Sequence, residues 1–309
     1  MLGYNSRMDT LYQSLEKAAG CGNVLRDEPM RDHTTFRVGG PADYFVMPTS
    51  VEGVRDAMAA CADAGVPCYI LGHGSNVLVS DEGLRGVVVQ ISSNLGDVDV
   101  RDGGIVVAQA GASNAKVAAC AQRAGLSGFE FAAGIPGTIG GAAVMNAGAY
   151  DGEFKQVAQS VTCLSPEGEL VEVTAEQASW SYRHSAIMDK GYIVLSATLQ
   201  LREDDPERIR ERMVDLAHRR QDKQPLDLPS AGSTFKRPPG HFAGKLIQDA
   251  GMQGYTVGGA QVSTKHAGFV VNVQDASAAD VLQVIRDVQA RVLDVFDVQL
   301  ECEVRLWGF

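Results

Sequence analysis

Apolar positions along this chain recur at two spacings, one near 3.6 residues and one of two, and the elements follow from them. Leu11, Leu15 and Ala18 predict a short N-terminal amphipathic helix. A polar loop then runs to His33-Thr34-Thr35-Phe36-Arg37-Val38-Gly39-Gly40. Ser50 can cap a helix with Val51, Val54, Met58 and Cys61 on one face, closed by Gly65. Short strands are predicted at Cys68–Leu71, Val77–Val79, Gly86–Ile91 and Ile105–Ala110. Ser113 can cap a second helix with Val117, Cys120, Ala121 and Ala124 inward and Gly125 closing it. Val161–Leu164 and Leu170–Val173 flank Ser165-Pro166-Glu167-Gly168 as a hairpin, and Tyr192–Leu201 reads as a long strand. A charged helix starts at Pro206 and runs to about Arg220, with Ile209, Met213 and Leu216 on its buried stripe.

The pattern breaks at Lys223. The stretch KQPLDLPSAGSTFKRPPGH holds four prolines and two glycines and no helix, and is expected to join two domains and line a site. Beyond it come a helix over Phe242–Ala250, strands near Ala260–Val262 and Phe269–Val273, and a longer helix with Val281, Leu282, Ile285, Val288 and Val292 inward. The last strand alternates, with Leu300, Cys302, Val304 and Leu306 on one face and Glu301, Glu303 and Arg305 on the other. The layout is α+β.

One segment fits neither spacing. Residues 131–150, FAAGIPGTIGGAAVMNAGAY, hold no charge and five glycines. The length matches a membrane span, but bulky apolar residues are few, Pro136 and the glycines disfavour a helix in the first half, and Asn146 would sit in hydrocarbon. Two readings stay open: a backbone cradle for a cofactor, and a plain segment where helix and sheet pack closely.

Composition narrows the class. At 309 residues two or three domains are expected. A net charge of −11 argues against nucleic acid or an anionic membrane as the main partner. The six cysteines form no CxxC pair and read as small buried hydrophobes of a reducing compartment. The histidines show no metal spacing, and the N-terminus has no secretory h-region, so no metal and a cytoplasmic location are expected.

Candidate chemistry lies in a few places. Gly72-His73-Gly74-Ser75-Asn76 follows a strand and could cradle phosphate, as could Gly134-Ile135-Pro136-Gly137-Thr138-Ile139-Gly140-Gly141. Neither is a Rossmann GxGxxG or a Walker loop, which disfavours both of those pockets. Ser233, in AGSTFK, could donate a proton or simply close a turn. Arg183, in WSYRHS, could grip an anion or form a surface ion pair. Glu303 sits on the polar face of the last strand. Lys223, Lys236, Arg237 and Lys245 could line an anion pocket or a solvated rim.

Taken together, HTTFRVGGPADYFVMP, LGHGSNVLVSDEGLRG, FEFAAGIPGTIGGAAVMNAGAYDGEF, WSYRHSAI, PSAGSTFKRP, FAGKLIQDAGMQGYTVGGAQVSTKHAGFVVN and LECEVRLWG resemble, in order, the UDP-N-acetylenolpyruvoylglucosamine reductase family over about residues 33–307. The pattern is similar to the family's shorter form, without the extra tyrosine-bearing substrate loop. The resemblance implies an FAD-binding region of the vanillyl-alcohol-oxidase type over 37–202, in two parts near 37–91 and 92–202, preceded by a lead-in over 1–36. A smaller α+β substrate domain over 203–309 follows. It implies non-covalent FAD, NADPH as co-substrate and a UDP-amino-sugar enolpyruvyl ether as substrate, in a monomer or weak oligomer.

By the same resemblance Arg183, Ser233 and Glu303 are the catalytic residues. Arg183 would hold the substrate carboxylate, Ser233 would give a proton to C2, and Glu303 would face the same carboxylate, helping only if protonated, which burial and like charge would favour. Flavin contacts would come from Arg37, Gly72, His73, Gly74, Ser75, Asn76, Val77, Gly134, Ile135, Pro136, Gly137, Thr138, Gly140, Gly141, Asn146, Ala147 and Gly148. Tyr182, Lys223, Lys236 and Arg237 would face the substrate. His73 stands where the family usually has glycine, Arg237 where asparagine is common, and Asp151 where glycine is usual. His73 reads as a tolerated loop side chain; relatives that tether FAD through histidine supply the other reading. An FAD oxidase or dehydrogenase of the same fold, and a non-catalytic flavin or nucleotide-sugar binding module, are the rival functions.

Overall fold

The computed structural model describes residues 2–309, with side chains described from residue 8 onward. The chain falls into two compact units, neither continuous in sequence. The first takes residues up to 26, then 44–73 and 86–220; the second takes 27–43, 74–85 and 221–309. This division differs from boundaries at 36/37 and 202/203. It follows contacts made by short segments, 27–43 and 74–85, whose composition does not set them apart.

The first unit is organised by an antiparallel sheet of Leu170–Thr174, Ala158–Leu164, Ile193–Gln200, Ile105–Gln109 and Val98–Arg101, in that order. Val161 pairs with Ala197, and Ala197 with Ala108, so fully buried small and β-branched residues line up across three strands. One core packs this sheet with Val117 and Ala121 of the helix Asn114–Arg123 and with Ile139, Ala142 and Ala143 of the helix Ile139–Met145. A second core joins Leu11 and Leu15 of the helix Leu2–Ala19 to Ala57 and Cys61 of the helix Val51–Ala64. There Cys68–Leu71 runs parallel to Leu84–Gln90, with Cys68 opposite Val87.

The second unit is built round the helix Ala278–Phe296, which buries Val281, Leu282, Ile285, Val288 and Val292 as its spacing predicts. Its start is doubly capped. Ser277 and Asp280 form a capping box, and Asp81 accepts from the amides of Ala278 at 2.7 Å and Ala279 at 2.9 Å. Thr256–Val257, Ala260–Val262 and Val270–Asn272 make a small antiparallel sheet. Arg305–Trp307 pairs parallel with Val77–Val79.

Caps at Ser50 and Ser113, and the left-handed closure at Gly65, stand as expected. Several details differ. The N-terminal helix is longer than the three apolar positions show, Leu2–Ala19, and Met8, one turn before Leu11, packs against the same core. Ala124 is exposed and Ala118 buried, since the helix ends at Arg123 and the chain turns there. On the helix Pro206–Lys223 only Ile209 is buried; Met213 and Leu216 are half-covered. The final strand is regular only over Arg305–Trp307, and Leu306 is 42 % exposed, so the alternation stops at Val304. Cys61 and Cys163 are buried, but Cys21 and Cys68 are exposed, a correction to the all-buried expectation; all six are free thiols. Among the described residues no helix is long and apolar enough to cross a membrane. In the uncharged segment the only α-helix is Ile139–Met145.

Candidate active site

In the first unit two loops meet at their backbones. Gly72 follows the strand Cys68–Leu71, and a Cβ there would lie 2.6 Å from Thr138 Oγ1. Thr138 in turn caps the helix Ile139–Met145. That helix start does not wait for an anion: Ile139 donates to Ala112 O at 2.9 Å, Gly140 to Ala110 O at 2.8 Å, and Gly141 to Thr138 Oγ1 at 3.4 Å. The unused donors are just before it. The amides of Gly134, Gly137 and Thr138 make no hydrogen bond among the described residues, nor do those of Gly72, His73 and Gly74. Beside the same loop, Asn114 is 1 % exposed and donates from Nδ2 to Ile135 O at 3.2 Å, while its Oδ1 is buried without a partner. A buried acceptor without a partner is costly unless something polar covers it, and the unpaired amides beside it are free to bind an acceptor. His73 is half-buried, and burial lowers its pKa, so its imidazole is neutral at pH 7.

The uncharged segment ends at a hub. Asn146 is fully buried and left-handed at φ 44°, closing the helix. Its Nδ2 donates to Glu153 Oε2 at 3.1 Å and Ser181 O at 2.9 Å, and its Oδ1 accepts from Lys155 N at 3.0 Å. Its side chain is therefore occupied with the protein itself. Ser181 and His184 exchange backbone hydrogen bonds at 3.1 and 3.3 Å, which places Tyr182 and Arg183 in a tight turn, Arg183 at φ 53°. The Arg183 guanidinium is oriented by Nη2 donating to Gly148 O at 3.0 Å, and lies 5.1 Å from the centre of the exposed Tyr182 ring. Lys155, then Asn146 and the charge of Arg183, hold the Glu153 carboxyl below its usual range against the opposing effect of burial.

The second unit gathers five distant segments. Glu303 N donates to Thr234 O at 2.8 Å and Lys236 N to Glu301 O at 2.8 Å, with Phe235 bridged to Cys302. Thr234 is fully buried and accepts from Val270 N at 3.0 Å. Asn76 Nδ2 donates to Glu303 O at 3.1 Å, and Arg305 N to Asn76 O at 3.0 Å. Thr35 Oγ1 donates to Ser230 O at 2.6 Å, and Thr35 N to Gly74 O at 3.1 Å. Gly74 is at φ 62°, with a notional Cβ 2.0 Å from His33 O, so only glycine fits. Ser233 therefore sits beside Thr234, which pairs with Glu303. It is exposed, and its hydroxyl makes no hydrogen bond among the described residues. Glu303 is half-buried.

Among the expected anion-binding side chains, Lys223 and Arg37 are exposed and have no side-chain partner among the described residues. Lys236 pairs with Glu301, and Arg237 stacks 3.8 Å from the centre of the Phe242 ring. The structure thus brings Ser233, Glu303, Asn76 and Lys236 together in one unit, and Arg183, Tyr182 and the uncharged segment in the other. Sequence reasoning missed Asn114, Thr35 and Arg220. No local pattern marks them; each is distinguished only by what surrounds it after folding. Among the described residues no cluster of His, Cys, Asp or Glu could hold a metal ion.

Unpaired amides on two loops and the orphaned Asn114 oxygen fit a ligand rich in both acceptors and donors, as a flavin dinucleotide is. Comparison with known proteins agrees. Residues 42–174 match an FAD-binding domain model. The chain's fold is shared with a 4-ethylphenol oxidase from Gulosibacter chungangensis, at 14% identity and a TM-score of 0.50 over 64% of this chain and 43% of that one. The chain thus has an FAD-binding region and an α+β fold of the vanillyl-alcohol-oxidase type.

Residues 224–307 match the model for the C-terminal domain of UDP-N-acetylenolpyruvoylglucosamine reductase. Curated reductases of that name are similar across almost the whole chain. The one from Clostridium botulinum is 49% identical over 293 residues, 95% of each chain. The one from Agathobacter rectalis is 51% identical over 92% of this chain and 94% of its own. The crystal structure of the reductase from Thermus caldophilus is 33% identical, with a TM-score of 0.79 over 92% of this chain and 98% of that one. The chain belongs to the UDP-N-acetylenolpyruvoylglucosamine reductase family.

Proposed function

We propose that this enzyme reduces the enolpyruvyl ether of UDP-N-acetylglucosamine to UDP-N-acetylmuramate with NADPH, in peptidoglycan precursor synthesis, and that Arg183, Ser233 and Glu303 carry the chemistry. FAD, when bound, would supply the hydride chemistry that links NADPH to C3 of the ether. The loops 72–77, 134–141 and 146–148, with Arg37, hold that cofactor. Hydride addition is easy only if negative charge from C2 can spread into the neighbouring carboxylate. Arg183, already oriented by Gly148 O, supplies a fixed cation there. Glu303, in its protonated form, adds a hydrogen bond to the same carboxylate. Ser233 then gives its proton to C2. Serine is a weak acid, but the enolate is a strong base and the hydroxyl has no competing partner to give up.

Lys223, Lys236, Arg237 and Tyr182 bind the nucleotide sugar, the cations facing its diphosphate. We place the flavin-binding region at 37–202 and the substrate domain at 203–309, in a cytoplasmic monomer or weak oligomer with no nucleic-acid or membrane partner. The observation that carries the mechanism is the bare Ser233 hydroxyl on backbone adjoining that of Glu303. The test is NADPH oxidation by flavin-loaded protein. Consumption that depends on the enolpyruvyl ether is expected, and flavin-loaded protein that turns over none of it contradicts the reading.

A further inference from the structure

Arg220 lies near the end of the helix Pro206–Lys223, where three other arginines hold carboxylates. Arg210 pairs with Glu207 at 2.8 Å, Arg212 with Glu130 at 2.8 Å and Asp204 at 2.6 Å, and Arg219 with Asp215 at 2.7 Å. Arg220 is half-buried, yet it makes no ion pair or hydrogen bond among the described residues. Its side chain lies over Gly134: a Cβ placed there would meet Arg220 Cδ at 3.2 Å, Nη1 at 3.8 Å and Nε at 3.9 Å. Burial lowers its pKa, with the charge of Tyr150 acting in the opposite sense, but a guanidinium stays charged at neutral pH.

Leaving a charge partly desolvated without a counter-charge is unfavourable, and few folds keep one without a use for it. Here the guanidinium faces a loop whose Gly134, Gly137 and Thr138 amides are also unpaired. A planar fork of donors beside a run of free N–H groups is complementary to phosphate oxygens. The glycine lets the side chain lie this close, since a Cβ at 134 would require Arg220 Cδ to shift by a few tenths of an ångström.

We infer that Arg220 is a diphosphate-binding residue, holding the diphosphate of a nucleotide against the unpaired amides of residues 134–138. The inference rests on the reading of the chain as an FAD- and nucleotide-sugar-dependent enzyme. The diphosphate is that of FAD or that of a nucleotide co-substrate, NADPH or the UDP-sugar. Arg220 touches no reacting atom in this assignment; it positions a ligand.

The test compares Arg220→Met and Arg220→Gln, which remove the charge, with Arg220→Lys, which keeps a point charge but not the fork. FAD affinity is read by flavin fluorescence titration, and KM and kcat for NADPH and for the enolpyruvyl ether are read at saturating FAD. Losing a charged, hydrogen-bonded phosphate contact is expected to weaken one ligand by about 10- to 100-fold, with partial recovery in the lysine variant and little change in kcat. Weaker FAD binding assigns the flavin diphosphate. Unchanged FAD binding with a raised KM assigns the co-substrate's. If whichever neutral variant folds leaves FAD affinity and both KM values as in the parent, the inference is overturned. The FAD arm needs no turnover, so a parent that binds FAD but does not reduce the ether would contradict the proposed substrate and leave this arm standing.

Discussion

The two units carry their candidate chemistry in opposite states. In the first, Arg220 apart, the candidate side chains are tied and the loop backbone is bare. Asn146 uses both ends of its amide on Glu153, Ser181 and Lys155, and Arg183 is turned by Gly148 O, while the amides of Gly72, Gly134, Gly137 and Thr138 donate to nothing described. In the second, the backbone round Ser233 is tied and some side chains are bare. Thr234, Lys236 and Glu303 are fixed by main-chain bonds, while the Ser233 hydroxyl and Lys223 stand without partners among the described residues. A bare backbone suits a large ligand that is held and kept. Bare side chains suit groups that act on a substrate which comes and goes. Stability and activity should therefore separate differently in the two units.

The largest expected effect is on activity alone. Ser233→Ala should lower turnover by about 10³-fold or more, the size of a lost proton donor, with a melting temperature unchanged because no protein contact is lost. A comparable fall in thermal stability would show that the serine is part of the turn's structure. Arg183→Ala should lower kcat by roughly 10²- to 10³-fold and also cost about 1 kcal/mol of stability, since Gly148 O loses its donor. Denaturant melts beside steady-state rates would read both. Asn146→Ala should act through the fold, at about 2–4 kcal/mol, because one buried amide closes a helix and holds two other segments. Full stability with lost activity would instead make Asn146 a ligand contact.

The smallest effect is a pH dependence in the first unit, away from the proposed chemistry. Burial raises the Glu130 carboxyl, but bonds from its own and Gly128's amides, from Arg212 and from Ser127 more than offset this and leave its pKa lowered. A carboxylate with a lowered folded pKa contributes stability above its unfolded pKa and loses it as pH falls through the folded value. Unfolding free energy should thus drop below about pH 4, the ordinary glutamate range. In Glu130→Gln that part of the drop should vanish; an unchanged acid limb would remove Glu130 from its cause.

Much of the fold was legible because its signals are local. Ser50 and Ser113 cap helices through hydrogen bonds three residues away, and the long helix ending at Phe296 shows its buried stripe in its own spacing. The end of the last strand was misread because exposure of Leu306 depends on what covers that edge, which alternation cannot report. The membership of 27–43 and 74–85 in the second unit rests on contacts such as Thr35 with Ser230 and Asp81 with Ala278, some 195 and 197 residues apart. Arg220 was invisible for the same reason. In sequence it is the neighbour of Arg219; only folding leaves one with Asp215 and the other over Gly134.

The proposed role of Ser233 in the second unit is tested most directly by separating the two half-reactions of Ser233→Ala in a stopped-flow spectrophotometer. NADPH should bleach the flavin at the parent's rate, and the enolpyruvyl ether should then fail to restore its colour at more than about a thousandth of the parent's rate. Slow bleaching with normal recovery would contradict the account, because Ser233 would then serve the cofactor's reduction and not the substrate's protonation.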